Sequence, residues 1–315
     1  IEKKLSELYN AGIYSMVLMY HKADMPMMEL NPFDDAWWER LEWISDICRE
    51  KKMTYMMQDA APFPTGEANG WFKEDAYQSL NKLYLAERHM DIKGPLKDGK
   101  FLVQDKVASP NGDYQVHTGD PRDCKLVSIC ALKRKNEDDL TFEDLAIPLD
   151  DKVQDGVLYW DVPCGSYRIF IIYETYEEGG RKGYMNLLDP DSVRLQIEAV
   201  HKPHYERLKQ ELGKTWLGFF YDETEIGNVT NLHGYIFGML PGKNPLGVNV
   251  SMVMPWSRTM PDLCRQRFGE QFGALLPFLW YDGDTKHSQV RYHYMDIISR
   301  QIAVNYNTQV YGWCH

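Results

Sequence analysis

Three stretches of strand length most constrain what this chain can fold into: the nearly unbroken apolar run Ile13 to Tyr20, the strand-like stretch Lys52 to Asp59 and the apolar run Thr215 to Tyr221. Such runs suit strands buried on both faces, as in a parallel sheet, rather than strands with one wet face. Between the first two, Asp34 or Asp35 can cap a helix from about Ala36 to Lys51, with Trp38, Leu41, Ile44 and Cys48 near one face. A strand, a helix and a strand in that order make a βαβ unit. A short helix over Ile1 to Asn10, ended by Ala11-Gly12, precedes it.

After the Pro- and Gly-rich loop Ala60 to Gly70, the spacing of Leu80, Leu83 and Leu85 predicts a helix from about Lys73 to Arg88. The texture then changes. Between Lys93 and Gly180 helical periodicity gives way to β-like runs at Lys125 to Leu132, Val157 to Val162 and Tyr167 to Tyr176, with a tight turn expected within Trp160 to Ile169. Sheet-and-helix texture resumes at Gly183. Asp189 reads as an N-cap and Pro190 as the first residue of a helix that runs to about Leu212 and stops at Gly213. Further helices are expected at Pro261 to Phe268, Gly273 to Trp280 and about Thr285 to Val310. The organisation expected is a first barrel part over 1–92, an inserted β-sandwich over 93–180 and a barrel continuation over 181–315.

The net charge of −11 argues against a phosphate-backbone partner, because nucleic-acid binders rely on clustered Lys and Arg to displace counterions. No run reaches the roughly 18 apolar residues of a membrane span, and no basic-then-apolar leader is visible. The six cysteines include no C-x-x-C pair and no zinc-ligand spacing, so neither a disulfide framework nor a metal is expected. His201 and His204 sit three apart on one helix, a weak metal signal without a third ligand. Starting at Ile1 and stopping at Cys314-His315, the sequence reads as a processed or truncated piece.

Candidate chemistry gathers where the apolar runs end. Tyr221-Asp222-Glu223-Thr224-Glu225 closes one such run, and in a (β/α) barrel the C-terminal strand edge holds the active site. Alternation along a strand puts Asp222 and Glu223 on opposite sides, so they are expected to differ in role. Asp59 ends the second run, with a loop-capping carboxylate as the structural reading beside it; Asp24 and His21 follow the first. Asn186 and Asp189 flank a third expected strand end, where the cap reading of Asp189 wins. The chain is 13% aromatic, and Trp71 and Trp256 lie on loops where a ring could stack on a sugar or, equally, seal a core. No phosphate-binding loop, nucleophile elbow or cysteine-nucleophile motif is present.

Several of these stretches, in order, resemble one family. The run into Gln58-Asp59 and Pro62-Phe63-Pro64-Thr65-Gly66-Glu67-Ala68-Asn69-Gly70, then Trp160-Asp161-Val162-Pro163-Cys164-Gly165-Ser166-Tyr167-Arg168, is similar to the α-L-rhamnosidase-like glycoside hydrolases of bacteria. So are Tyr184-Met185-Asn186-Leu187-Leu188-Asp189-Pro190, Gly218-Phe219-Phe220-Tyr221-Asp222-Glu223, and the late segment ending in Tyr311-Gly312-Trp313-Cys314-His315. The resemblance implies a (β/α)8 TIM-type barrel, incomplete in this chain, interrupted by a small all-β sandwich. It also implies hydrolysis of a plant or microbial glycan by a carboxylate pair.

On this reading Glu223 is the general acid and Asp222 positions it or a sugar hydroxyl. Glu225, Asp59, Asp24, His21, Tyr221, Asn186, Trp71 and Trp256 shape the carbohydrate site. Calcium enters only through the resemblance, since some relatives use it to hold a sugar's hydroxyls; no cage of oxygen donors is identifiable and no other cofactor is expected. The resemblance leans towards a secreted or periplasmic location over a cytoplasmic one. Oligomeric state is set by none of these residues. Thr224 stands where the family has Pro, and the sequence ends before the family's second carboxylate. The alternative is therefore a non-catalytic carbohydrate-binding barrel or an inactive fragment.

Overall fold

Helix α1, Glu2–Asn10, leads into strand β1, Ser15–Leu18, and then into helix α2, Asp35–Lys51. Asp34 caps α2 by accepting a hydrogen bond from the Trp37 amide at 2.8 Å, and Lys52 ends it in the left-handed conformation. Strand β2, Thr54–Gln58, follows at once. The computed structural model describes residues 1–20, 32–59, 64–103, 124–136, 140–176, 183–222, 224–226 and 253–315.

The chain divides into two compact units, one made of Ile1–Asn81, Gly183–Ile226 and Tyr306–His315, the other of Lys82–Lys182 and Gly227–Asn305. In the first, β1, β2 and strand β8, Trp216–Phe220, form a parallel sheet in the order β1-β2-β8. Leu41, Ile44, Ile47 and Cys48 of α2 pack with Tyr55, Met57, Leu5, Leu208 and Trp216 in one buried cluster. Each large aliphatic side chain so enclosed contributes about 1.5–3 kcal/mol relative to exposure. The helix predicted after Asp189 is present, in three parts: α3, Pro190–Gln196, a π segment, Ile197–His201, and α4, Lys202–Leu208.

The second unit is built on a six-stranded antiparallel sheet. Strand β3, Leu83–Leu102, pairs with β7, Val157–Thr175, from Tyr84↔Thr175 to Leu102↔Val157. With β4, Cys124–Arg134, β5, Phe142–Pro148, and β9, Met254–Trp256, the order is β5-β4-β7-β3-β9, and the two-residue β6, Val153–Gln154, pairs with β7. Ile129, Ala131, Leu158, Trp160, Val162, Ile169 and Ile171 form the core on one side. Arg168, nearly fully buried in this sheet, holds Asp91 through two hydrogen bonds of 2.7 Å, and this contact keeps the Asp91 carboxyl below the usual carboxylate range.

Three expectations are corrected. The (β/α)8 barrel with an inserted sandwich is not what the described residues form: they hold three parallel strands and one antiparallel sheet, and the apolar runs beyond residue 270 are helical. A barrel needs the strand-helix alternation to recur around a closed ring, and the sequence supplied it only locally. The helix expected over Lys73 to Arg88 is instead two 3-10 turns, Ala68–Lys73 and Asp75–Leu80, followed by the start of β3. The turn expected within Trp160 to Ile169 is absent: β7 continues through it, with an irregular register where Gly94 and Leu96 face Gly165 and Val162. The facing residue is Gly94, where an added Cβ would lie 1.9 Å from the Pro163 carbonyl oxygen, so only glycine lets the two backbones approach there. Cys48, Cys130, Cys164, Cys264 and Cys314 are free thiols, and no described helix is long and apolar enough to cross a membrane.

Candidate functional site

The C-terminal ends of β2 and β8 lie side by side, because the Asp59 amide donates to the Phe220 carbonyl at 3.0 Å. This adjacency sets Asp59 beside Asp222. Asp59 is buried and both its carboxylate oxygens are engaged. Thr65 Oγ1 donates to Oδ1 at 2.5 Å, a length typical of hydroxyl-to-carboxylate bonds, and His201 Nε2 lies 2.8 Å from Oδ2. Facing a carboxylate, Nε2 carries the proton.

His201 reaches Asp59 from the π segment. Gln196, five residues earlier, reaches the same residue: its Nε2 donates to the Asp59 carbonyl at 3.0 Å while its Oε1 accepts from the Ala68 amide at 2.9 Å. Residues five apart are almost half a turn out of register in a straight α-helix. The i→i+5 bonding of the π segment, a form often found at functional sites, lets both side chains reach one strand end. The His201 imidazole lies against Phe219, ring centroids 4.5 Å apart, and Trp313, 5.5 Å apart.

Thr65 connects Asp59 to the acidic segment that follows β8. Its Oγ1 accepts from the Asp222 amide at 3.1 Å, and its own amide donates to the Asp222 carbonyl at 3.4 Å. Its carbonyl accepts from the Tyr184 hydroxyl, which in turn accepts from the Glu225 amide at 3.0 Å. Gly66 makes this possible: at φ +128 an added Cβ would lie 2.5 Å from Tyr184 Cζ. The Asp222 carboxylate is partly exposed, with Gln58 Nε2 at 3.4 Å from Oδ2, and Tyr221 is exposed beside Tyr306, ring centroids 5.6 Å apart.

Three buried polar atoms in this neighbourhood have no protein partner among the described residues: Gln58 Oε1, His201 Nδ1 and the Tyr306 hydroxyl. Tyr306 lies on a second π segment, Ala303–Thr308. Burial, followed by the charge of Asp59, pushes its pKa up, so it is a neutral hydroxyl at any working pH. A neutral donor-acceptor, an imidazole nitrogen and an amide oxygen beside a strand-end carboxylate are groups suited to hydroxyl-bearing ligands.

The remaining residues singled out in the sequence are placed as follows. Glu223, Asp24 and His21 lie outside the described residues. Asn186 is buried; its Oδ1 accepts from the Leu188 amide at 3.1 Å and its own amide donates to Ser192 Oγ at 2.8 Å, which shapes the turn before α3. Asp189 caps α3, accepting from the Asp191 amide at 3.0 Å. Trp71 stacks on Tyr77, 5.7 Å apart and 8° from parallel. Trp256 belongs to the other unit, where it is fully buried and donates to Glu174 Oε2 at 2.9 Å, the setting of a core ring. Thr65, Gln196, His201, Tyr184 and Tyr306 were not read as site residues from sequence. Their convergence depends on the pairing of β2 with β8, to which no local motif points. Among the described residues there is no group of three or more His, Cys, Asp or Glu that could hold a metal ion.

No family model matches the sequence, and no curated protein does so significantly. Among solved structures the chain is similar to one described as the structure of rhamnosidase from Novosphingobium sp. PP1Y, with a TM-score of 0.51 and 12% identity. The likeness is one of fold. It covers 98% of this chain and 43% of that one, so this chain spans less than half the length of the rhamnosidase structure.

Proposed function

We propose that this chain is a glycoside hydrolase core that cleaves a glycan by carboxylate acid-base chemistry, rhamnosidase-like in substrate. Glu223 is the general acid, Asp222 orients it or a sugar hydroxyl, and Glu225 and Tyr221 line the sugar. Asp24 and His21, which follow β1 in the sequence, complete the subsite. The observation that carries this reading is the acidic segment after β8, held from both sides at a parallel-sheet edge in a chain that shares its fold with a rhamnosidase. The buried Gln58, His201 and Tyr306 atoms add hydrogen-bonding capacity of the kind a polyol uses.

Cleavage of a glycosidic bond needs one carboxylic acid to protonate the departing oxygen and a second carboxylate to attack the sugar or to activate water. Asp59, with both oxygens bonded within the protein, serves as an anchor, leaving the acids after β8 for the chemistry. A pair about 5 Å apart would retain the anomeric configuration, and one about 6.5–9.5 Å apart would invert it.

The test is turnover of a panel of chromogenic glycosides, α-L-rhamnoside included, by the wild type and by Glu223→Gln. The reading predicts hydrolysis that falls at least about 100-fold in the variant, the scale of a lost general acid. Equal turnover by both proteins would remove Glu223 from the mechanism, and no turnover by the wild type would remove the hydrolase assignment.

A further inference from the structure

We propose that Thr65 is the positioning residue of this site, holding both flanks of the acidic segment through two hydrogen-bond arms, one from its hydroxyl and one from its carbonyl, beside the backbone bond of its amide to the Asp222 carbonyl. The inference rests on the glycoside hydrolase reading, in which residues 222–225 carry the chemistry. One arm is the Thr65 hydroxyl. It has a single proton, and Asp59 Oδ1, an obligate acceptor when ionised, takes it at 2.5 Å; the oxygen lone pairs are thereby turned towards the Asp222 amide at 3.1 Å. The other arm is the Thr65 carbonyl. Tyr184 gives its proton to that carbonyl and offers its oxygen to the Glu225 amide at 3.0 Å.

The polarity is the same along both arms. Every hydroxyl donates away from the acidic segment and accepts from it, so neither arm can reverse without breaking a bond at its inner end. Asp59 cannot move to relax this arrangement, because His201 holds its second oxygen at 2.8 Å and Gln196 holds its carbonyl at 3.0 Å. Thr65 and Asp59 are buried, where an unmade hydrogen bond has no water to replace it. The consequence is that the backbone is held at Asp222 by one arm and at Glu225 by the other. That matters because a displacement of about 1 Å at reacting groups can cost roughly 100-fold in rate.

Three substitutions separate the arms. Thr65→Val keeps the shape and removes the hydroxyl, Thr65→Ser keeps the hydroxyl, and Tyr184→Phe removes only the second arm. Hydrogen exchange read at single amides should speed up roughly tenfold or more at Asp222 in Thr65→Val, and at Glu225 but not at Asp222 in Tyr184→Phe. Amides within β2 and β8, such as Met57 and Phe219, should be unchanged, which separates loss of positioning from loss of folding. In the same proteins kcat on the cleaved glycoside should fall about 10- to 100-fold in Thr65→Val with KM nearly constant, and Thr65→Ser should recover most of it.

Unchanged exchange at Asp222 and Glu225 in the Val and Phe variants would overturn the proposal. So would faster exchange with unchanged kcat, or a loss seen in KM alone. A wild type that cleaves no glycoside would fell the hydrolase reading instead, while the exchange comparison would still decide whether Thr65 and Tyr184 hold the segment. Were Thr65→Val to unfold, the split between the Asp222 and Glu225 amides in Tyr184→Phe would decide.

Discussion

Asp59 and Asp222 end neighbouring strands, yet their surroundings give them different work. Asp59 is buried, with Thr65 on one oxygen and His201 on the other, and acts on its neighbours by fixing where their protons point. Asp222 is partly exposed and meets one long contact from Gln58. Tyr306 gives this scale its own prediction. Its hydroxyl is buried without a protein partner among the described residues, so Tyr306→Phe removes a group whose burial is uncompensated by the protein. Thermal unfolding should show stability unchanged or raised, by up to about 1 kcal/mol, while KM for the glycoside rises several-fold. A clear loss of stability with unchanged KM would mean that the hydroxyl serves the fold and not the sugar. In sequence, Asp59 and the acids after β8 stood out because they terminate apolar runs; Thr65, Tyr184 and Tyr306 did not, since hydroxyls in a loop and a late helix carry no periodicity.

The elements that deliver these residues were read unevenly, and for physical reasons. Helix α2 with its Asp34 cap, strands β2 and β8, and the Asp189-Pro190 helix start follow from local chemistry that stays local in the fold. Strand β3 was hidden because Leu80, Leu83 and Leu85 imitate helical spacing, while the true signal, exposed His89, Asp91 and Lys93 alternating with Met90 and Ile92, begins only later. The π segment was equally invisible, yet it sets His201 on Asp59 and lets His204, three residues on, enter an aromatic box of Phe33, Trp38, Phe219 and Trp37.

His204 Nδ1 donates to the Val200 carbonyl at 2.7 Å, and burial lowers its pKa from 6.5 to about 4. Below pH 6.5 the unfolded chain takes up a proton there that the folded chain refuses until about pH 4. Stability from this residue is therefore complete above pH 6.5 and falls as the pH drops towards 4, by up to about 3 kcal/mol. Urea unfolding at pH 7 and pH 4.5 should show a smaller loss in His204→Gln than in the wild type. Equal losses in the two proteins would place the acid sensitivity elsewhere.

At the scale of the whole chain, one βαβ unit invited extrapolation to a closed barrel, and the structure stops that extrapolation at three parallel strands and an antiparallel sheet among the described residues. Closure depends on pairings between distant strands, and a single sequence records those poorly because each buried run looks like any other. What carries over from the local reading is the strand edge itself, with its acids, in a fold that a rhamnosidase shares. The central claim is that sugar is bound and cut at the edge formed by β2 and β8. It is tested most directly by hydrogen exchange of the Glu223→Gln protein with and without saturating aryl α-L-rhamnoside. Slowed exchange at Gln58, Asp59, Thr65 and residues 221–226 is the predicted result. Slowing confined to the antiparallel unit, with this edge unchanged, would contradict it.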